Sequence, residues 1–547
     1  LRTRRQRQMC IRDRILTDHF RKRLRMPRLS QKYYGLERRK FLQMMATVTT
    51  LPSLSHLSAS CVLGSAKFSD NPFTLGVASG DPDPHGVVIW TKLAPQPLEG
   101  PTLRQESYEV KWEVSTDESF SNVVQRGSTF AVPQLGHSVH VEVEGLKAER
   151  WYFYRFHTGS EVSPVGRTRT TPERHVMPER LKFAFTSCQH WESGFFNGYP
   201  HMQQDDHDLV VHLGDYIYEY AGIDNRVRKH LGPEITSLDD YRLRYSQYRT
   251  DIGLQEMHRV APWLVTWDDH EFDNNYANLV SEEDGISPET FLARRINAYQ
   301  AYYEFMPLRR RSLPLGPDMK LYRACHFGRL AKFHVLDTRQ YRTDQPNGDH
   351  QKPMEGKVFD QNATMLGTKQ EYWLMRHLNA SHSTWNVLAQ QVMMAPLNRG
   401  TPEKPLYSMD QWPGYEVSRR RLLKYMHERR VPNPVVLTGD IHLNWVNDLQ
   451  LDFQDPDSPI VGTELVGTAM SSGGNGGNVI PEYERAASQN RFVQWYNSNR
   501  GYVSCELTPS VWTTRFRITP FVDRPDSPVE TAATYVIENG VPGAKTV

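Results

Sequence analysis

Four stretches of the chain end an apolar run in side chains able to ligate a metal. Phe183-Ala184-Phe185 leads to Cys188, and Leu209-Val210-Val211 leads through Gly214 to Asp215 and Tyr218. Trp263 to Trp267 runs into Asp268-Asp269-His270, with Asn275 close behind, and Val435 to Thr438 runs into Gly439-Asp440-Ile441-His442. One such end means little; together they offer thiolate, carboxylate, phenolate, imidazole and amide, the donors of a polynuclear metal site. Asp215 is the expected bridge, because a carboxylate can serve two cations at once. A Tyr218 phenolate favours a hard trivalent ion, for which Fe(III) is the natural candidate, and a Cys188 thiolate adds negative charge on that side. Asp440 and His442, two residues apart, share one side of an extended backbone. Asp269 and Asn275 compete for the second cation, and His270 is free to donate a proton.

These residues need rigid elements behind them. The apolar runs read as buried parallel strands, and a carboxylate delivered behind a glycine turn at the carboxyl end of a strand is where open α/β sheets keep their chemistry. From Leu181 onward such strands alternate with helical patterns, as in an α/β or layered α+β domain. Helices are predicted at Leu238 to Arg249, Pro288 to Phe305, Lys369 to Leu378 and Val417 to Arg429 from apolar residues at three- and four-residue spacing. Residues 70–172 read as all-β, with alternating segments at Val87 to Leu93, Tyr108 to Ser115, Val139 to Val143 and Trp151 to Phe156. This part is similar to fibronectin- or immunoglobulin-like sandwiches. Residues 521–547 read as a poorly defined tail after a domain spanning 181–520.

A chain of 547 residues is long enough for two domains. Its formal charge of +2 hides an uneven distribution: the first 40 residues hold 15 Lys+Arg against 3 Asp+Glu, and the rest carry 50 against 60. An acidic body argues against a nucleic-acid partner and suits a protein that gathers cations. Five cysteines are too few for a disulfide framework, although Cys325 with Cys505 is one conceivable pair. Residues 1–65 stand apart. Residues 1–25 are rich in Arg, and RQRQMCIRDR at 5–14 resembles translated sequencing-adapter read-through, so they are expected to be non-native. Arg38-Arg39-Lys40-Phe41-Leu42 before a charge-free stretch resembles a twin-arginine export signal.

Taken together, the motifs resemble the PhoD-like alkaline phosphatase family of metallophosphoesterases. The resemblance runs through Gly80-Asp81-Pro82, Val88-Ile89-Trp90-Thr91, SCQ at 187–189, HLGDYIYE at 212–219, WDDHE at 267–271, Leu336-Asp337-Thr338-Arg339, DQWPGY at 410–415 and TGDIH at 438–442. It implies a layered metallophosphoesterase core, a β-sandwich flanked by helices, behind an N-terminal β domain. It further implies Fe(III) held by Cys188, Asp215, Tyr218 and His442, and Ca(II) held by Asp215, Asn275 and Asp440. Asp-Asp-His resembles the Gly-Asn-His of wider metallophosphoesterases, which makes Asp269 the rival of Asn275. The expected activity is hydrolysis of phosphate monoesters, and of diesters as a second class, by metal-activated hydroxide. His270 or Arg228 would assist, Arg228 as a phosphate clamp. The rival readings are a diesterase for phospholipids or nucleic acid on the same metals, and a non-catalytic exported binder of metal or phosphate. The expected partners are small phosphate esters and the twin-arginine machinery, for a monomer of the periplasm, cell surface or medium.

Overall fold

In the computed structural model the described residues are 68, 70–100 and 102–547. The non-native and export segments expected at 1–65 lie outside them. Two large sheets form the core. The ten-stranded sheet runs, edge to edge, Lys545–Thr546, Glu530–Glu538, Val511–Thr519, Arg500–Leu507, Leu181–Thr186, Leu209–His212, Pro262–Val265, Val77–Asp83, Gly86–Lys92 and Ser138–Val143. The seven-stranded sheet runs Arg323–Phe327, Ala331–Val335, Trp385–Ala389, Pro434–Thr438, Ile460–Val466, Asn444–Gln450 and Val493–Asn497.

Alternation along each strand decides the layering, because successive side chains point to opposite faces. Phe183, Phe185, Val211 and Leu264 of the first sheet pack with Phe333, Val387, Val435 and Leu437 of the second in one buried cluster. Their neighbours Ala184, Val210, Trp263 and Val265 face the other way, into a cluster with Tyr241, Tyr245, Leu254, Tyr299 and Tyr302 from the helices Leu238–Arg249, Ile252–Val260 and Pro288–Phe305. On the far side, Leu388 and Val436 pack on Leu374, Leu422 and Met426 of the helices Gly367–Asn379 and Glu416–Arg429. Phe183 locks the sheets together, edge-on to Phe333 at 5.2 Å and to Trp512 at 5.6 Å; such pairs add about 0.5–1.5 kcal/mol beyond the area they bury. Local chemistry sets the helix starts. Ser237 and Asp240 form a reciprocal capping box, and Asp251 and Ser287 accept from Leu254 N and Thr290 N.

The stretch before residue 172 forms a second packing unit but does not stand alone. The strands Val123–Ala131, Tyr108–Ser115, Trp151–Thr158 and Gly166–Arg169 belong to a separate five-stranded sheet. Val110, Val114, Tyr152 and Phe156 from it pack against Val77, Val87, Ile89 and Val141. The latter residues lie on strands of the ten-stranded sheet, where Ser79 and Gly80 pair in parallel with Pro262 and Trp263. A hydrogen-bonded ladder therefore crosses the division expected near residue 180.

Two expectations are corrected. Residues 521–547 are no tail: Val511–Thr519 pairs with Glu530–Glu538, whose Tyr535 and Ile537 are buried in the inter-sheet cluster. Alternation of Thr534, Val536 and Glu538 with the buried Tyr535 and Ile537 marks a strand that packs one face on the core. Cys325 and Cys505 are free thiols; the first donates to the Pro82 carbonyl at 3.4 Å and the second lies 3.9 Å from the Thr514 hydroxyl. Among the described residues no helix is long and apolar enough to cross a membrane. Deleting residues 529–547 should cost several kcal/mol, at about 1.5–3 kcal/mol for each large buried side chain removed, and lower the urea midpoint. An unchanged midpoint would restore the tail reading.

Candidate metal centre

The carboxyl ends of Leu181–Thr186, Leu209–His212 and Pro262–Val265 in one sheet meet that of Pro434–Thr438 in the other. An isolated parallel bridge between Ser187 and Ala469 joins the sheets here. The turns that follow are held in unusual backbone: Cys188, Asp215, Asp440 and His442 have φ of 55°, 55°, 63° and 58°. The left-handed region costs a non-glycine residue about 1–2 kcal/mol, so the surroundings must hold it. Cys188 N–H donates to the Gly214 carbonyl and Gln189 N–H to that of Asp215, both at 3.0 Å. The buried Glu271 carboxylate accepts from Asp215 N, Tyr216 N and Asp268 N at 3.1, 2.6 and 2.8 Å. Gly214 itself is obligatory: its φ is +117°, and a Cβ there would sit 2.5 Å from Asp268.

The result is a chain of donors. Ligand atoms of Cys188, Asp215 and His442 lie within 4.8 Å of one another, as do those of Asp215, Asp269 and His270, and those of Asp268, Asp269 and Asp440. Asp215 and Asp269 are each shared by two of these groups. Tyr218 joins the first: its hydroxyl donates to Asp215 Oδ2 at 2.8 Å and lies 3.2 Å from His442 Nε2. Seven of the nine residues expected from sequence thus come together, namely Cys188, Asp215, Tyr218, Asp269, His270, Asp440 and His442.

Two do not. Arg228 is no phosphate clamp. Its guanidinium pairs with Asp251 at 3.0 Å, donates to the Trp191 and Gly194 carbonyls and stacks 3.7 Å from the Trp191 ring, so its charge is spent on fixing a loop. The Asn275 amide nitrogen donates to Glu282 and Asp349, both at 3.0 Å, and its backbone N–H to Asp269 Oδ2 at 2.7 Å. Asp269 stands in the cluster, and Asn275 adjoins it, holding the Asp269 carboxylate through its backbone.

Several residues had no assigned role in the sequence. The fully buried Arg339 donates to Asp268 and to both oxygens of Asp410 at 2.9 Å, with Asp440 at 3.4 Å and Asp269 at 3.5 Å from Nη2. Gln411 donates to Asp440 Oδ2 at 2.8 Å. The Ser472 hydroxyl meets Tyr218 and donates to the Cys188 carbonyl, both at 2.7 Å. Arg339, Asp410 and Gln411 lie in two motifs that carried the family resemblance; Ser472 had only its place in a Gly/Ser loop.

Electrostatics shows what the cluster lacks. Burial, then the neighbouring Asp215 charge, pushes the Cys188 thiol and the Tyr218 phenol well above their ordinary values. Burial likewise drives Asp215 and Asp268 far up and Asp440 to about 6. Asp269 escapes: burial would raise it, but Arg339 and His270 together hold it below the usual carboxylate range. Asp215 Oδ1 and Asp268 Oδ2 are buried without a hydrogen-bond partner. A buried carboxylate oxygen with neither partner nor proton is expensive, and so many acidic donors around it fit a site completed by cations. Sulfur, nitrogen and phenol oxygen gather at one pole and carboxylates at the other.

The chain matches the family model described as PhoD-like phosphatase over residues 183–516 and that of the PhoD-like phosphatase N-terminal domain over residues 57–172. This chain belongs to the PhoD-like phosphatase family. A PhoD-family relative, "Alkaline phosphatase D" of Bacillus subtilis (strain 168), is 46% identical over 520 residues, covering 93% of this chain and 89% of the relative. A solved structure titled "Structure of PhoD" superposes with a TM-score of 0.86 at 48% identity, covering 88% of this chain and 93% of that one. The two-sheet core with flanking helices is thus the PhoD fold.

The raised Asp440 carboxyl gives this PhoD-like centre a pH signature. A carboxyl at about 6 in the folded protein against an ordinary 3.8 stabilises the metal-free fold in its protonated form. That contribution is whole below the ordinary value and is lost as pH rises towards 6. Cation binding needs the ionised form and grows over the same range. Excess cation at about 100 times Kd should add about 2.7 kcal/mol. The gap in melting temperature between loaded and chelated protein should therefore widen from about pH 5 to about pH 8; a constant gap would contradict the assignment.

Proposed function

We propose that this protein is an exported phosphate ester hydrolase that works through two unlike metal ions. Hydrolysis of phosphate esters rests on membership of the PhoD-like family over most of the chain. The observation that carries the metal reading is the convergence of Cys188, Asp215 and His442 beside Asp268, Asp269 and Asp440. Cys188, Asp215, Tyr218 and His442 would hold a trivalent iron, since thiolate and phenolate both compensate high charge. Asp215, Asp269 and Asp440 would hold a hard, oxygen-seeking ion such as calcium. When bound, such ions acidify water and neutralise charge on phosphoryl oxygens.

The protein's own groups supply the rest. His270 Nδ1 lies 2.8 Å from Glu219 Oε2. Burial alone would strip its proton, but Glu219, Asp269 and Asp215 together raise it well above its ordinary value. The imidazolium then carries a proton on Nε2, free of Glu219, to offer a phosphoryl oxygen or the leaving alkoxide. Arg339 does not approach substrate; it orders Asp268, Asp269 and Asp440 and limits their repulsion. Ser472 is tied to Tyr218 and to the Cys188 carbonyl, which leaves its hydroxyl no freedom to serve as a nucleophile. Direct attack by water follows, with no phosphoenzyme. Export rests on the resemblance of Arg38-Arg39-Lys40-Phe41-Leu42 to a twin-arginine signal.

Two measurements test this. Asp215→Ala should lower kcat/KM for an aryl phosphate by about a thousandfold without lowering the melting temperature of the chelated protein. Hydrolysis of an ester with a chiral phosphorus should invert its configuration; retention would mean a covalent intermediate and sink the mechanism.

A further inference from the structure

Apart from the metal centre, a partly open cavity of about 70 Å³ lies between the end of the strand Val77–Asp83, with Pro84, and the strand Arg323–Phe327. That is several times the roughly 10–15 Å³ needed for one water. Arg174, Arg309, Arg311 and Arg323 line it, and no residue of the metal cluster does. Four guanidiniums around so small a space repel each other unless anions intervene, and the carboxylates present compensate only in part. Arg309 is well matched, with Asp83 at 2.8 Å and Glu142 at 3.2 Å. Arg323 uses Nε on Asp81 at 2.6 Å and Nη1 on the Val265 and Leu321 carbonyls at 3.0 Å. Its Nη2 is buried without a partner, on a side chain only 5% exposed. Arg311 reaches Asp81 only at 3.6 Å, and Arg174 forms no ion pair among the described residues.

We propose that this cavity is a second anion site, taking one small tetrahedral oxyanion of the inorganic phosphate class. An unpaired buried guanidinium N–H group is costly, because it has given up water and gained no acceptor. An oxyanion would satisfy it while Arg174 and Arg311 close over the entrance with charge-assisted bonds. The net positive balance of the lining and the size of the space both favour a compact dianion over a bulky ester. The site differs from the metal centre in needing no cation. It stands whether or not the proposed hydrolysis is correct, because no residue of the reaction takes part.

The test is a titration of the metal-loaded protein with inorganic phosphate by calorimetry, in parallel with the Arg174→Ala/Arg311→Ala variant. Both residues lie outside the catalytic machinery, so turnover should be unchanged. Wild type should show a phosphate site that survives chelation of the metals, and the double variant should weaken that site at least tenfold. Phenylphosphonate, whose ring enlarges the ion well beyond this space, should bind it more weakly than phosphate; equal binding would point to the phosphate group of a larger molecule entering through an open mouth and would overturn the free-ion assignment. Crystals soaked in selenate should show an anomalous peak beside Arg323 Nη2. No chelation-resistant binding, or an unchanged affinity in the double variant, overturns the site.

Discussion

Mutual repulsion among buried acids is the constraint on which this active site is built. Asp215, Asp268, Asp269 and Asp440 are brought together with a thiol and a phenol where water is largely excluded, and like charges at such range cannot all ionise unaided. Arg339 is the protein's partial answer. It meets four carboxylates, Asp268, Asp269, Asp410 and Asp440, with a single guanidinium. One positive charge among four negative ones fixes their positions without neutralising them. The remaining deficit shows at Asp215, Cys188 and Tyr218, which Arg339 does not meet, and even at Asp268, which it does: burial pushes each of these acidic groups to hold its proton. Cations relieve what the fold leaves unpaid.

The same constraint explains why the turns are strained. A side chain in ordinary extended backbone at a strand end continues the alternation of the strand and faces one sheet surface or the other. To aim Cys188, Asp215, Asp440 and His442 into a common space beyond the strands, the chain must break that alternation abruptly, and the left-handed conformation does so within one residue. The cost is met by bonds that leave no alternative: Glu271 collects three backbone N–H groups across two turns, and Arg500 donates to the His442 carbonyl. Strain of this kind persists only where the surroundings over-determine it. Its recurrence at four donors marks the site independently of any likeness to other proteins.

Much of this was legible in the sequence because it is local. The apolar runs became the expected strands, the helices Leu238–Arg249 and Pro288–Phe305 have the expected bounds, and the donors sit directly behind their strands. What escaped was either non-local or ambiguous by type. Arg228 follows the Gly-Asp turn closely and looked available for phosphate, yet Asp251 and Trp191 fold it away. Arg339 looked unremarkable because its partners, Asp268, Asp410 and Asp440, are each about 70 to 100 residues distant. The strand Glu530–Glu538 carries few large apolar residues, since only one of its faces meets the core. The pairing of Val77–Asp83 with Pro262–Val265 leaves no local trace at all.

That pairing bears on how the catalytic strand is supported. Pro262–Val265, which delivers Asp268, Asp269 and His270, is bounded on one side by Leu209–His212 and on the other by Val77–Asp83. Without the N-terminal strands it would be an edge, with unpaired N–H and C=O groups and freedom to shift register. A register slip of one residue would turn Trp263 and Leu264 to opposite faces and draw the following aspartates away from Arg339. The N-terminal β region therefore contributes none of these donors yet holds one of the four donor-bearing strands in register. Arg323, which bonds the Val265 carbonyl while pairing with Asp81 of the N-terminal strand, stitches the same junction with side chains. The two matched regions of the chain thus act as one mechanical unit around the donor cluster.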